Sequence, residues 1–137
     1  MSKAKGSRLE RELINKFFQE ENFIALRAAG SGSTPLPCPD LLVGGNGRVL
    51  AIECKGGKGS RYIKKTQIEE LLQFSKRFGA EPWVGARFDN NPWFFIQIEN
   101  LKQSKTGNNF VVDLKYAKSK GITFDELIGK YKQQKLE

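Results

Sequence analysis

The sequence predicts a single α/β domain, because helical and strand patterns follow one another along its 137 residues. Residues 7–22 place apolar side chains three and four positions apart, which is typical of a helix with one buried face. Residues 40–55 contain two runs of strand-forming residues around a glycine-rich turn, which predicts a β-hairpin. A chain of this length forms one core. We therefore predict one domain over residues 1–137, with a basic flexible arm at 1–6 and a polar tail at 130–137.

Further strands and helices complete the pattern. β-branched and aromatic residues between turn signals predict strands at residues 23–28, 83–88, 93–98 and 110–114. Two Thr-x-x-Glu capping boxes predict helix starts. The first box begins at Thr66, with a helix to about Phe78, and the second begins at Thr123, with a helix that runs into the polar tail.

The composition restricts the chemistry. Lys and Arg number 23 against 15 Asp and Glu, a net charge of +8, which favours a polyanionic partner such as nucleic acid. The chain has no histidine, so a Ser-His-Asp triad and a histidine-ligated zinc site are both excluded in their usual forms. Two cysteines are too few for a disulfide scaffold or a four-cysteine zinc site. Hydrolytic chemistry here would depend on carboxylates, lysines and a bound cation.

The sequence also predicts where in the cell the protein acts. No apolar run approaches the roughly 20 residues that span a membrane, and the first six residues are basic with no apolar stretch behind them, unlike a secretory signal. We therefore expect a cytoplasmic protein that acts where the DNA is, has no membrane partner and keeps its cysteines reduced.

The hairpin brings three chemically active residues to one face. If residues 44–47 form the turn, Asp40 faces Ala51 on the second strand. Side chains alternate along a strand, so Glu53 and Lys55 share the face of Asp40. Asp40 is then diagonal to Glu53 at roughly 7–8 Å, where two carboxylates can converge on one cation. A turn of three residues would place Asp40 on the other face.

These residues suit phosphodiester hydrolysis without histidine. Such a reaction needs a divalent cation on oxygen ligands, a group that positions water and a positive charge near the transition state. Asp40 and Glu53, with the backbone carbonyl of Cys54, are candidates for the cation ligands, and Lys55 for either of the other roles. The alternative is a structural ion network on a sheet edge.

A third carboxylate candidate is Glu10, which falls at the centre of the apolar stripe of the first helix. A buried acid is costly unless a partner meets it. The alternative is an acid in a frayed first turn, favoured by the helix dipole. The acids off the stripe, Glu12, Glu20 and Glu21, are expected to be ordinary solvated charges.

Two loops are candidates for contacts with phosphate. Residues 30–39, rich in Gly, Ser and Pro, could offer backbone N–H groups and the hydroxyls of Ser31 and Ser33, or serve as a plain connector. Residues 56–65 carry four basic side chains and no acid, which suits a DNA backbone as well as a solubilising loop. Gln67, at the start of the next helix, could reach toward the site.

Taken in order, these motifs resemble the archaeal Holliday junction resolvases of the Hjc type, within the restriction-endonuclease-like nucleases. That superfamily's signature is an acid followed by Asp/Glu-x-Lys on a core hairpin. The matching stretches are residues 5–14, 23–31, 39–42, 52–55 and 72–79. One departure is Cys54, where the family carries an apolar residue; it is expected to point into the core.

The resemblance implies a restriction-endonuclease-like core, with a central mixed β-sheet of about five strands flanked by helices. It also implies a homodimer that resolves four-way DNA junctions by paired, symmetric nicks with Mg²⁺, or Mn²⁺ in its place. Asp40 and Glu53 would bind the metal, with Glu10 as a further candidate, and Lys55 would orient water or stabilise the transition state. Glu10 and Ser31 would also be catalytic.

Several basic or polar residues are DNA-binding candidates, either from the family match or from the basic segments. They are Lys3, Lys5, Arg8, Arg11, Arg27, Ser33, Lys58, Arg61, Lys64, Lys65 and Gln67. The apolar later strands and the Phe-rich surfaces are expected to form the dimer contact. The alternatives are another nuclease of the superfamily that acts on linear duplex, and a non-catalytic basic DNA-binding protein.

Overall fold

The computed structural model describes residues 3–28 and 36–130 of the chain. The helices are α1 (Lys3–Phe18), α2 (Lys65–Phe78), α3 (Leu114–Lys120) and α4 (Phe124–Leu127), and a short 3-10 turn spans Ile98–Asn100. The strands are β1 (Phe23–Arg27), β2 (Leu41–Gly45), β3 (Arg48–Gly57), β4 (Arg61–Lys64), β5 (Glu81–Phe88), β6 (Trp93–Gln97), β7 (Lys102–Gln103) and β8 (Asn109–Val112).

Five strands form the main sheet in the order β1-β2-β3-β5-β6. The β3–β5 pair is parallel and the other pairs are antiparallel, so the predicted mixed sheet of five strands is confirmed. The remaining three strands form a small antiparallel sheet in the order β4-β8-β7. Sequence patterning missed β4 and β7, because both are short and β4 lies in the basic segment interpreted as a loop.

Helix α1 covers one face of the main sheet. Leu9, Leu13 and Phe17 recur every four residues and pack with Leu50 and Ile52 of β3 in one core cluster. A second cluster joins β5 and β6 to α2, α3 and the small sheet on the other side. Strands β5 and β6 are thus enclosed between two apolar layers, the arrangement that an α/β domain needs.

The buried stripe of α1 is narrower than predicted. Phe18 is 71% exposed and Ile14 is only partly buried, so the apolar face follows the every-fourth-residue row alone. The helix also begins at Lys3 rather than at Ser7, and residues 3–6, expected in a flexible arm, are helical.

The hairpin turn differs from the prediction, with direct consequences for the site. Asn46 and Gly47 have φ angles of 52° and 73°, the positive pair of a two-residue type I′ turn, so Gly45 pairs with Arg48. The expected four-residue turn and the pairing of Asp40 with Ala51 are therefore wrong, since the register is shifted by two residues. Both turn lengths are even, so the predicted sharing of one face is kept.

Of the two predicted helix starts, one is wrong and one is confirmed. At α2 the N-cap is Lys64, whose N–H donates to the Gln67 Oε1 atom at 3.1 Å, so the cap lies two residues before the predicted Thr66. At α4 the Thr123 and Glu126 capping box is present as predicted. That helix ends at Leu127 instead of running into the tail. No helix in the described part of the chain is long and apolar enough to cross a membrane.

Candidate active site

Asp40 and Glu53 lie directly opposite each other at one end of the hairpin. Leu41 pairs with Ile52, so the next position outward brings Asp40 against Glu53, where opposed Cα atoms lie about 4.5–5.5 Å apart. The Cys54 N–H donates to Asp40 Oδ2 at 2.9 Å, and the Ala28 N–H donates to the Asp40 carbonyl at 3.0 Å. Asp40 is therefore held between β1 and β3. Its carboxylate accepts the hydrogen bond from β3 at the position just before β2 begins.

The Glu53 carboxyl is held in a strongly perturbed environment. Burial, then the Asp40 charge and a hydrogen bond with the Asp40 side chain, raise the pKa of Glu53 to about 8, against the opposing charge of Lys55. Two carboxylates this close resist ionising together unless a positive charge joins them. The pair thus has the electrostatic character of a cation site.

Glu10 approaches the pair from α1. Its side chain is 14% exposed and its Oε1 atom lies 2.7 Å from Arg27 Nε on β1. Burial and the charge of Asp40 raise the pKa of Glu10, while Arg27 lowers it. Since α1 begins at Lys3, Glu10 is in the helix interior, and the alternative of an acid in a frayed first turn is wrong. Arg27 is the partner that makes the burial of this acid tolerable.

Lys55 is two residues beyond Glu53 on β3 and therefore on the same face. It is half-buried, and its charge lowers the pKa of Glu53. The Cys54 side chain points the other way into the α1 core, where it is 6% exposed and burial raises the pKa of its thiol. The expectation that Cys54 faces the core is confirmed.

The donor set at this end of the hairpin suits a hard cation. Two carboxylates and the carbonyl of Cys54 could offer oxygen ligands, and Mg²⁺ takes few protein ligands while keeping several waters. Within residues 3–28 and 36–130, no group of three or more His, Cys, Asp and Glu side chains is arranged to hold an ion. The Glu10 carboxylate is paired with Arg27 in this structure.

Comparison with known proteins places this site in a family. The family model described as archaeal Holliday junction resolvase (Hjc) matches residues 1–136. The chain belongs to the Hjc family. The sequence is 38% identical over 135 residues to the crossover junction endodeoxyribonuclease Hjc of Archaeoglobus fulgidus, covering 97% of this chain and 96% of that protein. It is also 38% identical to Hjc of Methanocaldococcus jannaschii over 134 residues, covering 97% and 93% of the two chains.

A solved structure supports the same assignment. The chain aligns with the structure of Archaeoglobus fulgidus Hjc, a Holliday junction resolvase, with a TM-score of 0.79 at 32% identity over 90% of this chain and 98% of that one. The restriction-endonuclease-like fold inferred from the sequence motifs is thereby confirmed.

The DNA-binding candidates of this Hjc-family chain have different surroundings. Lys3 and Lys5 lie in the first turns of α1, while Ser31 and Ser33 lie outside the described residues. The amide oxygen of Gln67 accepts a hydrogen bond from the Lys64 N–H at the start of α2. The side chains that are exposed, and so accessible to a phosphate backbone, are Arg8, Arg11, Arg27, Lys58, Lys64 and Lys65.

Arg61 is the exception among the candidates because it is partly buried. A Cβ at Gly57, which has φ +117°, would clash with Arg61 Nη2, so the guanidinium occupies the space that glycine leaves. The Nε atom of Arg61 is buried without a hydrogen-bond partner. Since Gly57 is two residues past Lys55, Arg61 lies beside the same face of β3.

The sequence did not predict two sets of polar contacts in this Hjc-family fold, one at Glu12 and one at Glu20. Glu12 accepts hydrogen bonds from Arg87 Nε at 3.0 Å and from Trp93 Nε1 at 2.7 Å. Glu20 likewise pairs with Lys130 at 2.6 Å. The expectation that Glu12 and Glu20 are ordinary solvated charges is wrong. No local signal marks these pairs, because the partners are 75 or more residues away in sequence.

Proposed function

We propose that this chain is a structure-selective endonuclease that resolves four-way DNA junctions by paired, symmetric nicks. The observation that carries the proposal is the Asp40–Glu53 pair, in which the pKa of Glu53 is raised to about 8 beside Asp40. Family membership supports the choice of substrate, since two relatives at 38% identity are crossover junction endodeoxyribonucleases.

In this proposal, Asp40, Glu53 and the Cys54 carbonyl hold Mg²⁺, for which Mn²⁺ would substitute. The ion would polarise a phosphate oxygen and lower the pKa of its bound water. Asp40 is already fixed by the Cys54 N–H, so the site is largely preorganised. Ionisation of Glu53 is unfavourable until a cation arrives, which links loss of its proton to metal binding.

The chain's own cations complete the proposed chemistry. Lys55, on the face of Glu53, positions the attacking water or offsets charge that develops on the phosphate. The Glu10 carboxylate pairs with the Nε atom of Arg27, and the Arg27 side chain is 54% exposed. Its guanidinium carries five N–H donors, so Glu10 acts by presenting Arg27 to a phosphate next to the one that is cut. Ser31 stays a catalytic candidate from the family match alone.

The test of the proposed function offers a synthetic four-way junction and a matched linear duplex to the protein with Mg²⁺. We expect two symmetric nicks in the junction, little cleavage of the duplex and no cleavage with EDTA. Equal cleavage of both substrates would instead favour a duplex nuclease of the same superfamily. Tight binding without cleavage would favour a non-catalytic DNA-binding protein.

We further propose that the chain acts as a homodimer, because a four-way junction has approximate twofold symmetry and needs two equivalent sites. Three aromatic residues of the later strands are buried inside the domain and cannot form the contact, since Trp83, Trp93 and Phe95 are at most 6% exposed. The apolar surface lies elsewhere. Leu36, Phe74 and Phe78 line a groove of 270 Å³, and the rings of Phe74 and Phe78 stack at 5.1 Å.

Strand β1 adds to this apolar surface. Ile24 and Leu26 are 64% and 57% exposed on the sheet face opposite α1, the face that also carries α2. Exposed apolar side chains on one side of a sheet are typical of a protein interface. A second copy of the chain is the occupant that the symmetry of the substrate requires.

We expect Phe78→Asp to convert the dimer to a monomer, because it would place a charge in an apolar contact. Sedimentation equilibrium measures the change, and paired nicking should give way to single, uncoupled nicks. The matched control is Phe18→Asp, since Phe18 is 71% exposed on α1, on the opposite face of the sheet. Dimers of equal stability in both variants would rule out this surface.

A further inference from the structure

The small sheet carries most of the net charge of the chain. Residues 58–65 and 101–112, which form β4, β7, β8 and their adjoining loops, contain six Lys and Arg and no Asp or Glu. They therefore contribute +6 of the chain's net charge of +8. Such a concentration of one sign produces a local positive potential that attracts a polyanion.

The strand register sorts the side chains of this sheet into two faces. Ile63 and Val112 are fully buried and join the second core cluster, so their face is the inner one. Tyr62 pairs with Val111, and Lys102 pairs with the same Val111 across the sheet. Since paired residues share a face and residues two apart do as well, Tyr62, Lys64 and Lys102 lie together on the outer face.

This outer face is open to solvent. Tyr62 is 61% exposed, and both Lys64, two residues along β4, and Lys102, across β8 on β7, are exposed. Neither lysine is paired with a carboxylate among the ion pairs of residues 3–28 and 36–130. An exposed tyrosine and two lysines on one sheet face offer an apolar ring, a hydroxyl and two cations, which is the chemistry that contacts deoxyribose and phosphate.

The position of the sheet relates it to the candidate active site. Strand β4 follows β3 after three residues, 58–60, and β3 carries Glu53 and Lys55. The small sheet thus begins close to the end of β3, beyond Lys55. Duplex DNA with one phosphate at Lys55 would extend from that point in two directions along the surface of the domain. The small sheet lies in one of these two directions.

We infer that the outer face of the small sheet, made of Tyr62, Lys64 and Lys102, is a second DNA-binding surface that holds the sugar-phosphate backbone of one junction arm. The inference rests on the proposed function for the identity of the DNA as a junction. The face contributes to affinity and arm placement and takes no part in the cleavage chemistry.

The test measures junction binding in EDTA, where no cleavage occurs, over a series of salt concentrations. Each phosphate contact contributes about 0.9 to the slope of log K against log salt. The double variant Lys64→Ala with Lys102→Ala should therefore reduce the slope by about 1.8 for each subunit that holds an arm, and weaken binding at low salt. Tyr62→Ala should weaken binding with less change in slope, because it removes no charge.

The matched control is Lys118→Ala with Lys120→Ala, which removes the same charge from exposed positions on α3. Its slope should equal that of the wild type. The inference is overturned if the two double variants give the same slope, because the effect would then be one of net charge alone. Failure of the wild type to cut junctions with Mg²⁺ would count against the proposed function, and the slope comparison would still decide whether this face binds DNA.

Discussion

Glu53→Gln should lower the rate of junction cleavage by about 10³-fold, the equivalent of about 4 kcal/mol of metal stabilisation lost from the transition state. The substitution keeps the size of the side chain and its ability to hydrogen-bond to Asp40, which contacts Glu53 in the wild type. Only the charge that binds the cation is removed. Junction binding should persist, because it depends on basic side chains rather than on this carboxylate. Single-turnover cleavage and fluorescence anisotropy measure the two quantities.

A suitable control is Glu21→Gln, the same chemical change at an exposed position after α1. It should cleave at the wild-type rate. If Glu53→Gln also cleaved at that rate, Glu53 would not be a metal ligand, and the opposed carboxylates would be a structural pair. Loss of both binding and cleavage would indicate a misfolded variant, which circular dichroism identifies.

The second large effect concerns stability of the metal-free protein, which should fall as pH rises from 5 to 8. The pKa of Glu53 is raised to about 8 in the folded state, whereas the unfolded chain releases this proton at its ordinary pKa near 4.5. Between these values the folded state holds one more proton than the unfolded state. Rising pH therefore favours unfolding, by up to about 1.4 kcal/mol for each pH unit. Below pH 4.5 the contribution of Glu53 is fully present.

Urea titrations in EDTA at several pH values measure this dependence. Glu53→Gln should flatten the curve, because glutamine has no proton to lose. Mg²⁺ should raise the melting temperature more at pH 8 than at pH 6, since it binds the ionised carboxylate. A pH dependence that is identical in the wild type and in Glu53→Gln would contradict the assigned environment of Glu53.

Strand alternation, a local pattern, was sufficient to place Glu53 and Lys55 on one face. Asp40 shares that face only because the turn has an even number of residues, which the glycine-rich turn allowed and the strand register decides. The absence of histidine, also a property of the sequence, limits hydrolytic chemistry to carboxylates and lysine. The spacing of the apolar residues placed Glu10 at the centre of the stripe but left a frayed first turn as an alternative, and the structure decided for burial, with the side chain 14% exposed.

The register was not determined by the same patterns, because a two-residue and a four-residue turn leave the same side chains on each face. Only the backbone shows that Asn46 and Gly47 form the turn. That two-residue difference moves Glu53 from a diagonal position to one directly opposite Asp40. The close approach of the two carboxylates, and with it the raised pKa of Glu53, is a consequence of tertiary structure.

The sequence shows which side chains are available for chemistry, and strand alternation, a local property of the chain, places Glu53 and Lys55 on one face of the hairpin. Tertiary packing determines which partners these side chains meet. Arg27 joins Glu10 and Arg87 joins Glu12 across 17 and 75 residues, and Tyr62 aligns with Lys102 through a strand between them. Contacts between residues far apart in sequence form only when the chain packs, and no local pattern records them.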